Sequence, residues 1–357
     1  MIVVLGAGVV GLSCALALAR RGRGVCVIEP RARAGQESST RNSGVIHAGL
    51  YHPPDSLKTR LCHEGRERLY AFCRELNVPH RACGKLIVAR KGEEAALDAL
   101  ERSARANGAR IDDAPAAFVR GREPHVAADR ALWSPETGWI EAEAYVRALV
   151  AEVQRHDGVL LVGCRVAAIE ARPAGLAVVT DRETIDAAFV VNAAGLRAGE
   201  VSHLAGGEPF RIYPCRGEYA ELAPRARDLV RGLVYPVPHA SGHGLGVHLT
   251  RTNTGAVWIG PTIRYQDDPA DYEGDRLPLD AFLEPTQRLL PSVTMDDLRL
   301  GGSGIRAKLH PPEERFEDFL IRHDTRVPGV VHAAGIDSPG LTASLAIGEY
   351  VAGLITE

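Results

Sequence analysis

Ile2-Val3-Val4-Leu5-Gly6-Ala7-Gly8-Val9-Val10-Gly11 is the run whose reading decides the fold of this chain. Its first four residues are apolar and mostly β-branched, the pattern of a buried parallel strand. Three glycines follow at positions 6, 8 and 11. Leu12–Arg20 then contains no Gly, Pro or β-branched residue and reads as a helix, stopped by Gly22 and Gly24. Val25-Cys26-Val27-Ile28 is a second strand, closed by Glu29. Strand, glycine turn, helix, strand and acid in that order make a dinucleotide-binding fingerprint. Gly6 allows the tight turn, Gly8 removes the side chain a pyrophosphate would strike, and Gly11 lets helix and strand pack closely. The N–H groups at the helix start, around Val9 and Val10, offer partial positive charge to a diphosphate. Glu29 is placed to accept hydrogen bonds from ribose hydroxyls.

Composition narrows the class. The 357 residues, 45% of them hydrophobic, suffice for two domains or one large α/β unit with an added layer. A net charge of −3 and only 5% aromatic residues give no footing for nucleic acid. No run of 18 apolar residues exists, so no transmembrane helix is expected. The first strand starts at residue 2, which leaves no room for a signal or transit peptide and leads to the expectation of a cytoplasmic protein. A weak peripheral association with a membrane is left open, without a basic amphipathic helix to argue for it. Seven cysteines are scattered without a CxxC, which suits buried thiols in a reducing compartment rather than disulfides or a metal site.

Beyond the fingerprint, Gln36–Tyr51 is dense in small hydroxyl and amide residues and then turns apolar around one histidine, His47. Ala48 and Gly49 beside it would let a flat ring lie against the backbone, and Arg41 is available for a phosphate. Leu57–Leu76 reads as an amphipathic helix. Lys85 opens the strand run Lys85–Ala89 and faces either a substrate or water. Glu93–Ala106 and Glu141–Val153 read as helices. Val159–Val162 and Cys164–Val166 read as a strand pair, with Val166 either against adenine or in the core. Two later strands end alike, in Asn192-Ala193-Ala194-Gly195 and His332-Ala333-Ala334-Gly335. Small residues there suit two strands of one sheet whose ends touch a flat ligand. Between 211 and 260 the runs shorten and alternate, suggesting an antiparallel second layer in which Arg216, Tyr235, His248 and Arg251 could line a cavity. Gly304–Leu309 brings Arg306 and Lys308 close together. Gly340-Leu341-Thr342 opens a C-terminal helix, a second site for ring oxygens or phosphate.

Taken with the fingerprint, the stretches Ser39–Tyr51, Cys83–Ala89, Arg216–Tyr219, Leu233–Pro238, Gly246–Arg251 and Ser338–Thr342 resemble the L-2-hydroxyglutarate dehydrogenase/oxidase family, within the FAD-dependent D-amino-acid oxidase and glycerol-3-phosphate dehydrogenase superfamily. The resemblance runs from residue 1 to about 355. The chain is shorter than the usual member, with the deficit after Gly260-Pro261. The resemblance implies an α/β fold with an α+β substrate layer: a Rossmann-like FAD-binding domain from 1–78, 141–208 and 303–357, and an inserted antiparallel-sheet substrate domain from 79–140 and 209–302. It implies noncovalent FAD, held by Gly6, Gly8, Val9, Val10, Gly11, Glu29, Thr40, Arg41, Asn42, Ser43, His47, Val166, Ala194, Gly195, Gly335, Gly340, Leu341 and Thr342.

A flavin enzyme that oxidises a 2-hydroxy acid needs a carboxylate clamp, for which Arg251, Arg306 and Lys308 are the candidates. It also needs a base for the hydroxyl proton, His47 first and His248 second. The expected reaction takes L-2-hydroxyglutarate to 2-oxoglutarate, with quinone or oxygen as electron acceptor and no metal. The alternatives are an amino-acid oxidase or glycerol-3-phosphate dehydrogenase-like enzyme on the same fold, and a nucleotide-binding protein without catalysis.

Overall fold

Ile2–Leu5 sits inside a six-stranded sheet whose order is Leu320–His323, Val330–Ala334, Phe189–Asn192, Ile2–Leu5, Val25–Glu29, Val159–Val162. All neighbours are parallel except the antiparallel edge pair Leu320–His323 with Val330–Ala334. The structure is a computed structural model and describes residues 1–238, 246–314 and 316–355.

The central strands are buried on both faces, and different layers cover them. On one side lie the helices Val9–Ala19, Leu57–Glu75, Ala142–Arg155 and Gly340–Leu354, sharing a core with Val4, Val27, Val191 and Val331. Val9–Ala19 is apolar all round (Val-Val-Gly-Leu-Ser-Cys-Ala-Leu-Ala-Leu-Ala), and all its residues but Val10 are buried, as befits a helix sandwiched between sheet and helices. Leu57–Glu75 turns most of its charges outward, but Lys58 and Arg66 are buried. Its first turn is capped twice: Ser56 Oγ accepts from the Thr59 N–H, and Asp318 accepts from the N–H groups of Leu57 and Lys58. On the other side of the sheet lies an antiparallel meander, Val166–Arg172, Gly175–Thr180 and Thr184–Ala187. Its Ile169, Leu176, Val178 and Ile185 pack on Val3, Leu5, Cys26 and Ile28.

This corrects one expectation. Val159–Val162 and Cys164–Val166 do not pair with each other. Gly163, at φ +60°, turns the chain between them, so the first joins the edge of the parallel sheet and the second starts the meander. Val159 is 50% exposed, which marks an edge strand rather than a core one.

The second layer is a nine-stranded sheet. It runs Arg264–Tyr265, Tyr213–Leu222, Val257–Gly260, His248–Arg251, Leu233–Pro236, Lys85–Ala89, Arg130–Ser134, Asp112–Asp113, with Leu298–Lys308 paired antiparallel along Tyr213–Leu222. It is antiparallel apart from the pair Leu233–Pro236 with Lys85–Ala89. Leu86, Val88, Val234, Leu249, Val257 and Ile259 turn to a core of their own, away from the nucleotide fold. Leu298–Lys308 is one continuous strand, so the chain passes through position 303 without a break between the two layers. Among the described residues no helix is long and apolar enough to cross a membrane.

Candidate active site

The fingerprint builds one end of a cavity of about 920 Å³ between the two layers, at the large end of the ~300–1,000 Å³ usual for small-molecule sites. Gly6 holds φ at +105°, and a Cβ there would lie 2.5 Å from the Ala193 carbonyl oxygen. A Cβ on Gly11 would strike the Gly6 carbonyl, so the glycine spacing serves helix–strand packing as well as ligand approach. Gly8 is the N-cap of Val9–Ala19 and brings no capping side chain, while the Val9 N–H donates to Ser39 Oγ at 2.9 Å. Glu29 reaches back under the turn and accepts from the N–H groups of Ala7 and Arg31, at 2.9 and 2.8 Å. Each oxygen accepts one such bond and keeps capacity for a ribose hydroxyl. Burial raises its carboxyl above the usual value, opposed by those two N–H donors. Val166 lines this end, and Ala194 and Gly195 line its middle, where a Cβ on Gly195 would meet open space.

Of the loop residues expected here, Arg41, Asn42 and Ser43 line the cavity and Thr40 does not. Thr40 Oγ1 donates to the Gly35 carbonyl at 2.7 Å, and Ser38 and Ser39 take its place on the wall. Arg41 lies 4.2 Å from the centre of the Tyr272 ring and donates to the Gln36 carbonyl. Asn42 braces its own loop, donating to the carbonyls of Ser38 and Ser39. Gly335 also lies off the wall. It holds φ at +65° and packs against Leu309, whereas Gly340 and Leu341 do line the cavity. Thr342 is fully buried behind the wall. Its hydroxyl accepts from the His47 N–H at 3.0 Å and donates to the Val45 carbonyl at 3.4 Å, which ties the histidine strand to the last helix.

His47 and His248 face the other end of the cavity from different layers. His47 Nε2 lies 3.3 Å from Ser338 Oγ. Burial first, then the charge of Lys85, holds its imidazole well below the ordinary histidine value, so it is neutral at pH 7. His248 stacks on Tyr235 with ring centres 3.7 Å apart, and its Nδ1 donates to the Gly246 carbonyl at 3.0 Å, leaving Nε2 as an acceptor. Burial pulls it down to about 3.

Strand alternation decides which cations join them. On Leu298–Lys308, Arg306 and Lys308 share the cavity face. On His248–Arg251, His248 faces the cavity and Arg251 the reverse. Arg251 donates to the carbonyls of Arg227 and Val230 at 2.8 and 2.7 Å and pairs with Asp228, beside a separate cavity of about 450 Å³. Arg251 is therefore not part of the clamp. Arg251→Ala should leave the KM for substrate unchanged and lower unfolding stability by about 1–3 kcal/mol, because two carbonyls lose a charged donor; denaturant titration and steady-state kinetics check both halves. Arg216 is likewise withdrawn: it is buried and paired with Glu218 at 3.0 Å, while Tyr219, of opposite parity, lines the cavity.

Residues not singled out beforehand complete this end. Lys58 Nζ pairs with Asp337 Oδ1 at 2.8 Å and Lys308 Nζ with Asp337 Oδ2 at 3.2 Å. Burial works to raise the Asp337 carboxyl, but the two lysines outweigh it and hold it well below the usual range. Two cations thus share one anion, and His310 Nε2 lies 3.2 Å from Lys308. His52 lines the wall nearby, drawn down to about 4 by burial and by Lys58. A lysine at 58 on the stripe that continues through Leu61, Cys62, Gly65 and Leu69 was the signal, since cations belong on the opposite face of such a helix. Lys85 is shielded from water and does not itself line the cavity. It is fully buried behind the wall, 2.8 Å from Tyr51 Oη.

Known proteins resemble this chain over nearly its whole length. A family model described as FAD dependent oxidoreductase matches residues 1–354. The mitochondrial L-2-hydroxyglutarate dehydrogenase of Arabidopsis thaliana is 34% identical over an alignment covering 98% of this chain and 82% of that protein. The L-2-hydroxyglutarate dehydrogenase of Salmonella houtenae is 30% identical, covering 98% and 91%. Among solved structures, L-α-glycerophosphate oxidase from Mycoplasma pneumoniae with FAD bound superposes with a TM-score of 0.89 at 25% identity, covering 99% of this chain and 94% of that one. With the glycine turn, the Glu29 acceptor and the two-layer cavity in place, the chain belongs to the FAD dependent oxidoreductase family, among the L-2-hydroxyglutarate dehydrogenases.

Proposed function

We propose that this protein oxidises L-2-hydroxyglutarate to 2-oxoglutarate with a noncovalently held FAD. The observation that carries the reading is the meeting of two neutral imidazoles with Arg306 and the Lys58–Asp337–Lys308 cluster in the cavity that the dinucleotide fingerprint opens. FAD fits the residues present: Gly8 and the start of Val9–Ala19 for its diphosphate, Glu29 for the ribose, and Gly195, Gly340 and Leu341 for the ring system. When bound, FAD accepts the hydride from the substrate's C2.

The chain supplies the rest. Arg306, with its planar fork, grips a carboxylate. Lys308 and Lys58, sharing a single counter-ion, favour a second negative group and so a dicarboxylate. His47, neutral and fastened through its N–H to Thr342, takes the hydroxyl proton at its ring nitrogen. His248 is the second candidate for that role. The walls Tyr51, Tyr235 and Tyr219 exclude water and fix the substrate between base and acceptor.

A cytoplasmic location belongs to the same proposal, resting on seven unpaired cysteines, six of them buried. The electron acceptor is quinone or oxygen, and anaerobic reoxidation of the reduced protein by a soluble quinone separates the two.

The purified protein is expected to be yellow and to release FAD into the supernatant on acid precipitation. Retention of the flavin in the pellet refutes noncovalent binding. The activity is tested by stopped-flow bleaching of the flavin with L-2-hydroxyglutarate against a panel of amino acids and glycerol 3-phosphate. Fast bleaching by the hydroxy acid alone is expected. Bleaching by an amino acid or by glycerol 3-phosphate instead moves the protein to another branch of the superfamily.

A further inference from the structure

Lys85 is a buried ammonium with no acidic partner among the described residues. It is 0% exposed, at the head of Lys85–Ala89 in the middle of the nine-stranded sheet. Its Nζ donates one hydrogen bond, to Tyr51 Oη at 2.8 Å, and lies 4.6 Å from the centre of the Tyr51 ring and 4.4 Å from that of Tyr235. Two π faces and one phenol thus stand where a carboxylate would be expected. The other face of this assembly is the cavity: Tyr51 and Tyr235 line it, and His248 is stacked on Tyr235.

A buried charge without a counter-ion is costly. Cation–π contacts with the two tyrosine rings recover only a part of that cost. Burial accordingly draws the Lys85 amine down to about 7, and the charge it carries adds to the burial that lowers His47 and His248. What this position lacks is an anion on the far side of the tyrosine wall.

We propose that Lys85 is a positioning residue whose Nζ supplies the missing counter-charge to an anionic ligand in the cavity, taking up one proton as that ligand enters. The inference rests on the reading that the cavity takes a carboxylate substrate. It adds that binding and protonation are one linked event. The sign is fixed by linkage: an anion favours the ammonium, so the ligand binds more tightly where the amine is already protonated and more weakly as pH rises.

The titratable groups facing Lys85 do not compete in the same window. His47 and His248 are held below neutrality, Cys62 is pushed up to about 12, and Tyr51 and Tyr235 are raised by burial. The arrangement has a chemical use. With the amine protonated, the product of proton removal from the substrate hydroxyl forms next to a fixed positive charge. Burial, with that charge added, keeps His47 and His248 unprotonated and able to accept.

The test uses the FAD-loaded protein and 2-oxoglutarate, which has no C2 hydride to give an oxidised flavin and so serves as a ligand without turnover. Titration calorimetry in buffers of different ionisation enthalpy counts protons, and the flavin absorbance change gives Kd. The expected result is uptake of close to one proton at pH 8, falling towards zero at pH 6, with Kd rising about tenfold per unit above pH 7.5. Lys85→Met, close in length and apolar, should abolish the uptake, flatten Kd against pH and weaken binding at pH 7 by about tenfold or more. Tyr51→Phe removes the one hydrogen-bond acceptor the amine has among the described residues and should move the midpoint of the pH profile down by about one unit. This second variant carries the test if Lys85→Met fails to hold FAD. Wild-type binding without proton exchange, or proton uptake undiminished in Lys85→Met, overturns the inference and leaves the proposed reaction intact. A yellow protein that binds neither 2-oxoglutarate nor L-2-hydroxyglutarate overturns both.

Discussion

His47→Ala should keep its FAD and its fold while the rate of flavin reduction by L-2-hydroxyglutarate falls at least about a hundredfold, the lower bound for removing a general base. The fold should survive because His47 is held by its backbone, through the N–H to Thr342 Oγ1, and a truncated side chain leaves that bond in place. The pH dependence carries a second expectation. Burial and Lys85 hold the imidazole below the ordinary histidine value, so the base stays unprotonated as pH falls through 6.5. The acid limb of kcat/KM should therefore lie below pH 6.5 in the native enzyme and disappear in the variant. Single-turnover stopped-flow reduction between pH 5 and 8 measures both. A variant that reduces its flavin at near-native rate passes the role to His248, whose Nε2 is left as an acceptor on the opposite wall.

The second large effect is expected at Arg306. Arg306→Ala should raise the KM for L-2-hydroxyglutarate by about ten- to a hundredfold, the scale of a lost charged hydrogen-bond pair. It should disturb the flavin spectrum little, because Arg306 projects from the substrate-side sheet rather than from the fingerprint. Among the described residues its tethers are long ones, to the Thr262 carbonyl at 3.4 Å and towards Cys215 Sγ at 4.0 Å, which leaves the guanidinium able to turn to a ligand. Arg306→Lys should recover part of the loss through charge alone, without the fork. The contrast with Arg251 is the sharpest part of the expectation. Both arginines lie on strands of one sheet, and only one faces the cavity. Equal KM effects at the two positions would mean that the strand faces are assigned wrongly.

The nucleotide end of this protein was legible because it is local. Gly6, Gly8, Gly11 and Glu29 act within one βαβ unit whose geometry admits a single arrangement, so spacing alone placed the turn, the helix start and the acid. The same holds for the small residues at 193–195, which the parallel register sets beside Leu5. The substrate end was legible only in its residue types. Cations and histidines could be counted in Arg211–Lys308, but the facing of each depends on strand parity relative to a layer formed by distant segments. An alternation that reads identically either way put Arg216 and Arg251 beside Tyr219 and His248, and the sheet then turned each pair to opposite sides.

What the amino-acid sequence by itself determined is the dinucleotide fold, since backbone sterics at three glycines and the periodicity of two strands and a helix leave no other packing. What only the tertiary structure decided is the composition of the far wall. Lys58 from a helix, Asp337 from a loop and Lys308 from a strand paired along Tyr213–Leu222 meet there across more than two hundred residues, with Lys85 from a central strand buried behind Tyr51. Charges that far apart in the chain interact through space alone, and their separation exists only once both layers have closed on the cavity between them.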